Sequence, residues 1–194
     1  MQAIAQAGRE YSPNKYDVDR YKQLQDLAAE IIQDHTGHEF GHIRNFLEQE
    51  VGYATPKVDV RGVVFRDGEI LLVRETVDGL WSLPGGWADV LLTPSENVLK
   101  EIREESGYET RAKRLLAVYD RSKHEHGNHA IPYSIYKLFF QCELVGGSPK
   151  PSIETSAAEF FALDQLPPLS VGRVTERQLN RMAELVKTGE VDFD

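Results

Sequence analysis

Three glutamates lie close together near the middle of the chain, and their spacing places them on one side of a helix. Glu101, Glu104 and Glu105 fall within an arc of about 100° when side chains are set at roughly 100° per residue. Glu101 and Glu105 are four residues apart and repel each other on a bare helix, and partial burial strengthens the repulsion. A hard divalent cation with oxygen ligands removes this conflict, and Mg²⁺ or Mn²⁺ fits best.

The residues around the glutamates predict where their helix begins and ends. Thr93 is a good cap, Pro94 suits the first turn, and Glu96 completes a capping box. Gly107 is a stop signal. Apolar side chains fill the neighbouring arc, so the three carboxylates border a buried stripe made by Val98, Leu99 and Ile102.

A glycine turn, Pro84-Gly85-Gly86, comes before this helix. Glycines permit unusual backbone angles and the close approach of a phosphate or a metal ion. A pair of neighbouring glutamates alone usually forms a solvated acidic face, but the turn beside it favours a functional site. The carbonyl of Gly85 or Gly86 is a further candidate ligand.

The segment from Gly86 to Tyr108 resembles the Nudix box, G-x(5)-E-x(7)-R-E-U-x-E-E-x-G-U, in which U is a bulky aliphatic residue. The matching positions are Gly86, Glu101-Ile102, Glu104-Glu105 and Gly107. Three positions depart from the pattern, because the first glutamate is Leu92, the arginine is Lys100 and the last aliphatic is Tyr108. The Glu and Arg of the pattern form a natural ion pair, and we expect Lys100 to pair with Glu104 instead.

The resemblance implies an α+β fold, the Nudix-type α/β/α sandwich with a mixed sheet, in the region from Val58 to Lys187. It implies hydrolysis of the diphosphate linkage of a nucleoside diphosphate linked to another group, a small-molecule nucleotide substrate. Metal ions that bridge the phosphate oxygens and lower the pKa of a bound water suit this reaction. The predicted cofactor is Mg²⁺, with Mn²⁺ possible, and the predicted metal ligands are Glu101, Glu105, Glu104 and Gly86.

Catalytic roles are assigned to Glu105, Glu104 and Glu154. Glu154 lies in a predicted loop before a strand, where the family often places a catalytic acid, and its alternative is a solvated loop residue. Glu159 is the second choice for the general base.

A narrower resemblance points to one Nudix subgroup. It rests on an N-terminal helical segment, on Gly-Trp-Ala-Asp after the glycines, on residues 119–124 and on residues 152–155. The subgroup contains CDP-choline pyrophosphatase-like and ADP-ribose pyrophosphatase-like enzymes, and its arm is associated with dimer formation. This narrower resemblance alone favours a CDP-choline-like substrate over ADP-ribose by a small margin. A weaker physical reason is that a choline cation favours aromatic faces, such as Trp81, Trp87 and Tyr119.

The candidate substrate-binding residues are Trp81, Trp87, Lys123 and His124. One tryptophan is expected in the core and the other on the substrate, with the choice left open. The segment from Lys123 to His129 is expected to be a solvated loop, a substrate contact that favours ADP-ribose, or a zinc site. Histidines near an early helix end are expected to be cap or surface residues, namely His35, His38 and His42.

The chain divides at Thr55-Pro56 into an N-terminal helical arm, residues 1–55, and a Nudix hydrolase domain, residues 56–194. Two helices are predicted in the arm, one through residues 21–35 with Gly37 as its stop and one through residues 40–47 closed by Gly52. Their apolar stripes need a partner, and a homodimer is the simplest one.

The domain alternates short strands with two helices. An Asp67-Gly68 hairpin is predicted to join strands at residues 58–65 and 70–73, and a short strand is predicted before the glycine turn. Further strands are expected at residues 115–119, 133–144 and 159–163, followed by a last helix over residues 175–187.

Composition limits the function. A formal charge of -9 makes a nucleic-acid partner unlikely and disfavours RNA end trimming. The lone cysteine, Cys142, excludes an intrachain disulfide and fits a cytoplasmic protein, and no apolar run is long enough for a membrane span. A Nudix-like sensor that binds a nucleotide without turnover is the alternative from another class, and the intact glutamates argue against it.

Overall fold

A computed structural model describes residues 1–36, 39–126 and 134–194. The chain forms two compact units, of which the first is Met1–Pro56 and the second begins at Lys57. The predicted helix stop at Gly37, the histidine His38 and the end of the histidine-rich loop, residues 127–129, lie outside the described residues.

The first unit is helical. It contains α1 (Gln2–Tyr11), α2 (Lys15–Thr36) and α3 (Phe40–Gln49), and its small core is built on Ala29, Ile43 and Leu47. The sequence analysis predicted α2 and α3 but not α1. That helix has few large apolar side chains and buries only Ala5 and Gln6, so it carries no apolar stripe that a periodicity argument can detect.

The second unit is a mixed sheet with a helix on each face. Its sheet order is β3-β2-β1-β5-β4-β7, and β6 also pairs with β2. The β1–β5 and β4–β7 pairs are parallel, and the other strand pairs are antiparallel. The elements are β1 (Lys57–Arg66), β2 (Glu69–Glu75), β3 (Trp81–Ser82), α4 (Pro94–Ser106), β4 (Tyr108–Asp120), a 3₁₀ turn (Arg121–Lys123), β5 (Ile135–Gly147), β6 (Thr155–Phe161), α5 (Glu176–Thr188) and β7 (Asp192–Phe193).

Alternating side chains of the sheet supply two cores. Even-numbered β1 residues such as Val60 and Val64 pack with Val98 and Ile102 of α4. On the opposite face, Val63 of β1 packs in the core that contains the α5 side chains Leu179, Met182 and Leu185. The predicted α/β/α sandwich with a mixed sheet is therefore confirmed.

One glycine brings α4 close to the sheet. A Cβ atom added at Gly62 would lie 2.5 Å from the Ile102 side chain, so a larger residue there would push the helix away from β1. This contact is important because α4 carries the three glutamates.

The predicted turns and caps of the second unit are confirmed. Asp67 and Gly68 form the β1–β2 hairpin turn with φ angles of 53° and 88°. Thr93 and Glu96 form a complete capping box, and Gly107 ends α4 with a φ of 77°. Two strands differ in extent, because β4 begins at Tyr108 rather than Leu115 and β6 at Thr155 rather than Glu159.

The early part of β4 was missed because its exposed face is charged. Glu109, Arg111 and Lys113 alternate along it and leave no apolar run. Cys142 is buried in β5, as predicted. No helix among the described residues combines the length and the apolar character needed to cross a bilayer.

His126 is a buried histidine that links two parts of the second unit. Its Nδ1 donates to the Val171 carbonyl at 2.9 Å, and its Nε2 lies 3.2 Å from the Gln178 amide nitrogen, which donates to it. Both ring nitrogens are therefore used by the neutral form. Burial lowers the pKa of His126 to about 4, and the positive charge of Lys137 adds to this effect.

A pH dependence of stability follows. An unfolded histidine has a pKa of about 6.5, so below that pH the unfolded chain takes up a proton that the folded chain does not. The stability contributed by neutral His126 is present above pH 6.5 and is lost as the pH falls toward 4. We expect about 2 kcal/mol of this loss between pH 7 and pH 5.

Urea unfolding at both pH values measures this loss. The decrease in the free energy of unfolding from pH 7 to pH 5 should be smaller in His126→Gln than in wild type. His35→Gln, a control at an exposed position, should match wild type. An equal decrease in all three proteins would contradict the assignment.

Candidate active site

The glycine turn is held against β1 by main-chain hydrogen bonds. Gly62 donates to the Pro84 carbonyl at 2.8 Å, and Val60 donates to the Gly86 carbonyl at 2.9 Å. Gly85 has a φ of 140°, and a Cβ atom there would lie 2.0 Å from the Val60 carbonyl oxygen. Only glycine fits this position, which explains why the turn can lie so close to the strand.

Glu105 joins the turn to α4. Its side chain is buried, and Oε2 accepts a hydrogen bond from the Gly85 N–H at 2.7 Å. Burial raises the pKa of Glu105 to about 8, with Glu75 and Glu101 adding to the rise, while Arg61 and the Gly85 N–H oppose it. Glu105 is therefore a buried acid whose ionised form is disfavoured, and the nearby charge of Arg61 offsets this only in part.

Glu101 lies on the other side of the turn. A Cβ atom added at Gly86 would be 3.2 Å from Glu101 Oε2, so this carboxylate lies against the turn. Burial raises the pKa of Glu101, and the negative charges of Glu104 and Glu154 add to the rise while Lys100 opposes it. Glu104 is more exposed, and Glu154 lies in an exposed loop whose carbonyl accepts from the Thr76 N–H at 2.8 Å.

The carboxylates lie around the turn, but they do not converge on a single point. Within the described residues, no three His, Cys, Asp or Glu side chains form a ready-made metal site. The charges nevertheless favour a cation, because Glu101 and Glu105 both have raised pKa values and the negative charge of Glu101 adds to the rise at Glu105. The donors are oxygen atoms, as Mg²⁺ and Mn²⁺ require, so the residues present fit such an ion. The Gly86 carbonyl already accepts from Val60 and would bind a cation through its second lone pair.

Lys100 is placed among several acids. The predicted contact with Glu104 is present at 3.2 Å. A shorter contact, 2.9 Å, joins Lys100 Nζ to Asp89, and Glu101 lies at 3.6 Å.

A buried charged network under the turn was not predicted from the sequence. Arg61 forms a two-bond ion pair with Asp59, with both distances 2.7 Å, and donates to the Leu83 carbonyl just before the turn at 3.1 Å. Lys137 of β5 also donates to Asp59, at 3.0 Å. The signal that could have found this network is the presence of Asp59 and Arg61 at alternate positions, on one face of an otherwise apolar strand.

The network's pKa values show that its charges depend on one another. Burial opposes ionisation of Asp59, but Arg61 and Lys137 hold the pKa of this carboxyl below its usual range. Burial and the neighbouring Arg61 lower the pKa of Lys137 to about 8.

The aromatic residues predicted to favour the substrate differ in their exposure to solvent. Trp81 is half-buried and packs edge-to-face on Phe161 with ring centres 4.7 Å apart, so the structure places it in the core rather than in an open site. Tyr119 is buried as well and donates to Asp192 at 2.8 Å. Trp87, beside the glycine turn, is 48% exposed and is the tryptophan that a substrate can reach.

Lys123 and His124 do not line the glutamate site. They border a cavity of about 570 Å³ against α5 and β7, and no residue of the glutamate group lines it. His124 Nε2 lies 3.1 Å from Asp194 Oδ1. The predicted contact of both residues with the substrate stays a prediction. His35 and His42 are exposed, as predicted.

Comparison with known proteins finds two family models that match this chain. Residues 55–182 match the NUDIX domain, and residues 1–47 match the UDP-X-like, N-terminal oligomerisation domain. The chain belongs to the Nudix family. It is a Nudix pyrophosphohydrolase, and the sequence-based family assignment is confirmed.

Similar proteins extend over most of this Nudix chain. A putative ADP-ribose pyrophosphatase of Bacillus subtilis is 48% identical over 187 residues, covering 96% of this chain and 89% of that protein. The crystal structure of an ADP-ribose pyrophosphatase from Streptococcus suis is 43% identical, with a TM-score of 0.65 over 72% of this chain and 100% of that one. A crystal structure of UDP-X diphosphatase is 33% identical, with a TM-score of 0.68 over 100% of this chain and 94% of that one.

The buried network of the Nudix domain makes a prediction about stability. Arg61→Met removes the two-bond pair and the bond to Leu83, and leaves Asp59 with Lys137 alone. We expect a loss of about 3 kcal/mol or more in the free energy of unfolding. Lys137→Met leaves the two-bond pair intact and should cost less, about 1–2 kcal/mol.

Urea denaturation of the two variants tests this order. A larger loss in Lys137→Met than in Arg61→Met would contradict the view that Arg61 contributes more to this network than Lys137 does.

Proposed function

We propose that this protein hydrolyses the diphosphate linkage of a nucleoside diphosphate linked to a sugar, with ADP-ribose as the first candidate substrate. The observation that carries the proposal is the pair of acid side chains at the glycine turn. Glu101 and Glu105 both have raised pKa values, and both contact the Gly85-Gly86 segment. A site whose acids are only partly neutralised by the chain's own cations suits a substrate that is bound together with metal ions.

In this proposal Glu101 and Glu105 hold the divalent cation, Mg²⁺ or alternatively Mn²⁺, with Glu104 and the Gly86 carbonyl as the next ligands. A divalent cation neutralises the charge of a diphosphate and makes water a better nucleophile. Glu105 has a second role, because its hydrogen bond to Gly85 keeps the turn in place while its other oxygen remains available.

Glu154 is the proposed general base. It is exposed, and it lies close enough to Glu101 to raise the pKa of that group. The second choice, Glu159, lies in the middle of β6 opposite Leu72, and no contact joins it to the glutamates of α4 in the described residues.

ADP-ribose replaces CDP-choline as the favoured substrate for two reasons. The Bacillus and Streptococcus relatives are named for ADP-ribose. Of the three aromatic rings that could favour a choline cation, two, Trp81 and Tyr119, pack in the core. Trp87 remains as the ring available to a nucleobase or to a choline cation.

The N-terminal arm is proposed to form a homodimer. Residues 1–47 match an oligomerisation domain, and large apolar side chains of this unit are exposed in one chain. Examples are Ile4, Tyr11, Leu27 and Ile31, at 64%, 65%, 47% and 41%. The division into an arm, residues 1–55, and a catalytic domain, residues 56–194, and the cytoplasmic location also stay predictions.

Replacing Glu105 by glutamine tests the metal-dependent reaction. The glutamine oxygen can still accept from Gly85, so the fold should survive, whereas the lost charge should lower kcat/KM for ADP-ribose by about 10²-fold or more. Chelation of divalent ions should abolish wild-type activity, and added Mg²⁺ should restore it. Full activity of Glu105→Gln, or of wild type with excess chelator, would refute the assignment. Asp67→Asn, at the distant hairpin, is the matched control.

The choice of substrate is tested by comparing kcat/KM for ADP-ribose and CDP-choline in wild type and in Trp87→Ala. ADP-ribose should be the better wild-type substrate. If Trp87 stacks on the base, its loss should lower kcat/KM for both compounds by a similar factor, about 5- to 50-fold. A better wild-type rate with CDP-choline, lost selectively in Trp87→Ala, would favour choline recognition instead.

Sedimentation at micromolar concentration tests the dimer. The full chain should sediment as a dimer, and Leu27→Glu combined with Ile31→Glu should shift it toward a monomer, because the charges would be buried in an apolar contact. A full chain that sediments as a monomer would contradict this proposal.

A further inference from the structure

The Nudix box of this chain has no acid at position 92, but the cation at position 100 still has an acidic partner. Leu92 cannot pair with a cation, and it is 40% exposed. Lys100 Nζ instead lies 2.9 Å from Oδ2 of Asp89, which is three residues before Leu92 in the same loop. This contact is shorter than those to Glu104 and Glu101, at 3.2 Å and 3.6 Å.

The position of Asp89 is fixed by its main chain. The Asp89 N–H donates to Asn97 Oδ1 at 2.8 Å, and Asn97 Nδ2 donates to the Asp89 carbonyl at 3.2 Å. Asn97 is a buried residue of α4. The loop is thus attached to the helix by backbone bonds, and the Asp89 carboxylate remains available for Lys100.

Lys100 competes with any cation for the same acids. Its ammonium group lies within ion-pair distance of Glu101 and Glu104, which are proposed to hold metal. A lysine without another partner would move fully onto these two carboxylates, and a metal ion would then have to displace it.

We propose that Asp89 is a positioning residue that draws Lys100 away from Glu101 and Glu104 and so keeps these carboxylates available to a divalent cation. Asp89 takes the place of the acid that the box carries at position 92. The inference rests on the proposed function, because it assumes that the two glutamates hold the metal ion.

A double-mutant cycle with Mn²⁺ tests the proposal directly. The affinity for Mn²⁺ alone is measured by the electron paramagnetic resonance of free Mn²⁺ in wild type, Asp89→Asn, Lys100→Gln and the double variant. Asp89→Asn keeps the backbone bonds to Asn97, so the loop should stay in place. We expect its affinity to fall about three- to fivefold, the scale of an exposed ion pair.

The decisive comparison is the effect of Asp89→Asn when Lys100 is absent. If Asp89 acts through Lys100, the loss in the Lys100→Gln background should shrink to less than twofold. A purely structural role of Asp89, or direct metal binding by it, would give the same loss in both backgrounds and would overturn the proposal. Asp67→Asn controls for removal of an acid elsewhere in the domain.

Moving the acid gives a second test. Leu92→Glu added to Asp89→Asn should restore wild-type Mn²⁺ affinity to within twofold, since it returns the acid to the position that the box pattern uses. Failure to restore affinity would overturn the equivalence of the two positions.

The wild-type titration separates this proposal from the proposed function. If wild type binds Mn²⁺ and hydrolyses ADP-ribose but Asp89→Asn matches it, the inference fails and the function stands. If wild type binds no Mn²⁺, both fail.

Discussion

The arrangement of the site depends on one hydrogen bond, from the Gly85 N–H to the buried carboxylate of Glu105. This bond joins the glycine turn to the helix that carries the other acids. It requires a turn that lies very close to β1, which only glycine permits at position 85, and a helix close to the same strand, which Gly62 permits. A larger side chain at either glycine would separate the turn from the helix and divide the acid group.

Charge balance is the second constraint. The turn is surrounded by carboxylates, and the cations nearest to it are already in use. Arg61 is paired with Asp59 and bound to the Leu83 carbonyl, and Lys100 lies between Asp89 and the glutamates. Arg61 and Lys100 oppose the raised pKa values of Glu105 and Glu101 only in part, and in the proposed function a bound divalent cation supplies the remaining positive charge. This is why a protein with a formal charge of -9 can still act on a negatively charged diphosphate.

Features with a local cause could be predicted from the sequence. The capping residues of α4, its end at Gly107, the Asp67-Gly68 hairpin and the common side of the glutamates all follow from residue types a few positions apart. The elements that were missed depend on distant partners. β7 is two residues long and exists because it pairs with β4, and α1 buries only two side chains.

The same distinction applies to the site. The network of Asp59, Arg61 and Lys137 joins residues 78 positions apart, so no local pattern predicts it. Lys123 and His124 were predicted to contact the substrate because they lie in a polar loop, and their place beside the cavity formed with α5 and β7 became visible only in the fold. In the sequence, Asp89 stands out only as the last residue of Gly-Trp-Ala-Asp, because its contact with Lys100 depends on the loop being folded onto α4.

The central claim is that Glu101 and Glu105 together hold a divalent cation at the glycine turn. The most direct measurement is a crystal structure of the full chain soaked in Mn²⁺, with an anomalous difference map calculated from the manganese signal. The account predicts a peak within bonding distance of the Glu101 and Glu105 carboxylates, beside Gly86. A peak that touches neither glutamate, or no peak from crystals whose dissolved protein hydrolyses ADP-ribose with Mn²⁺, would contradict it.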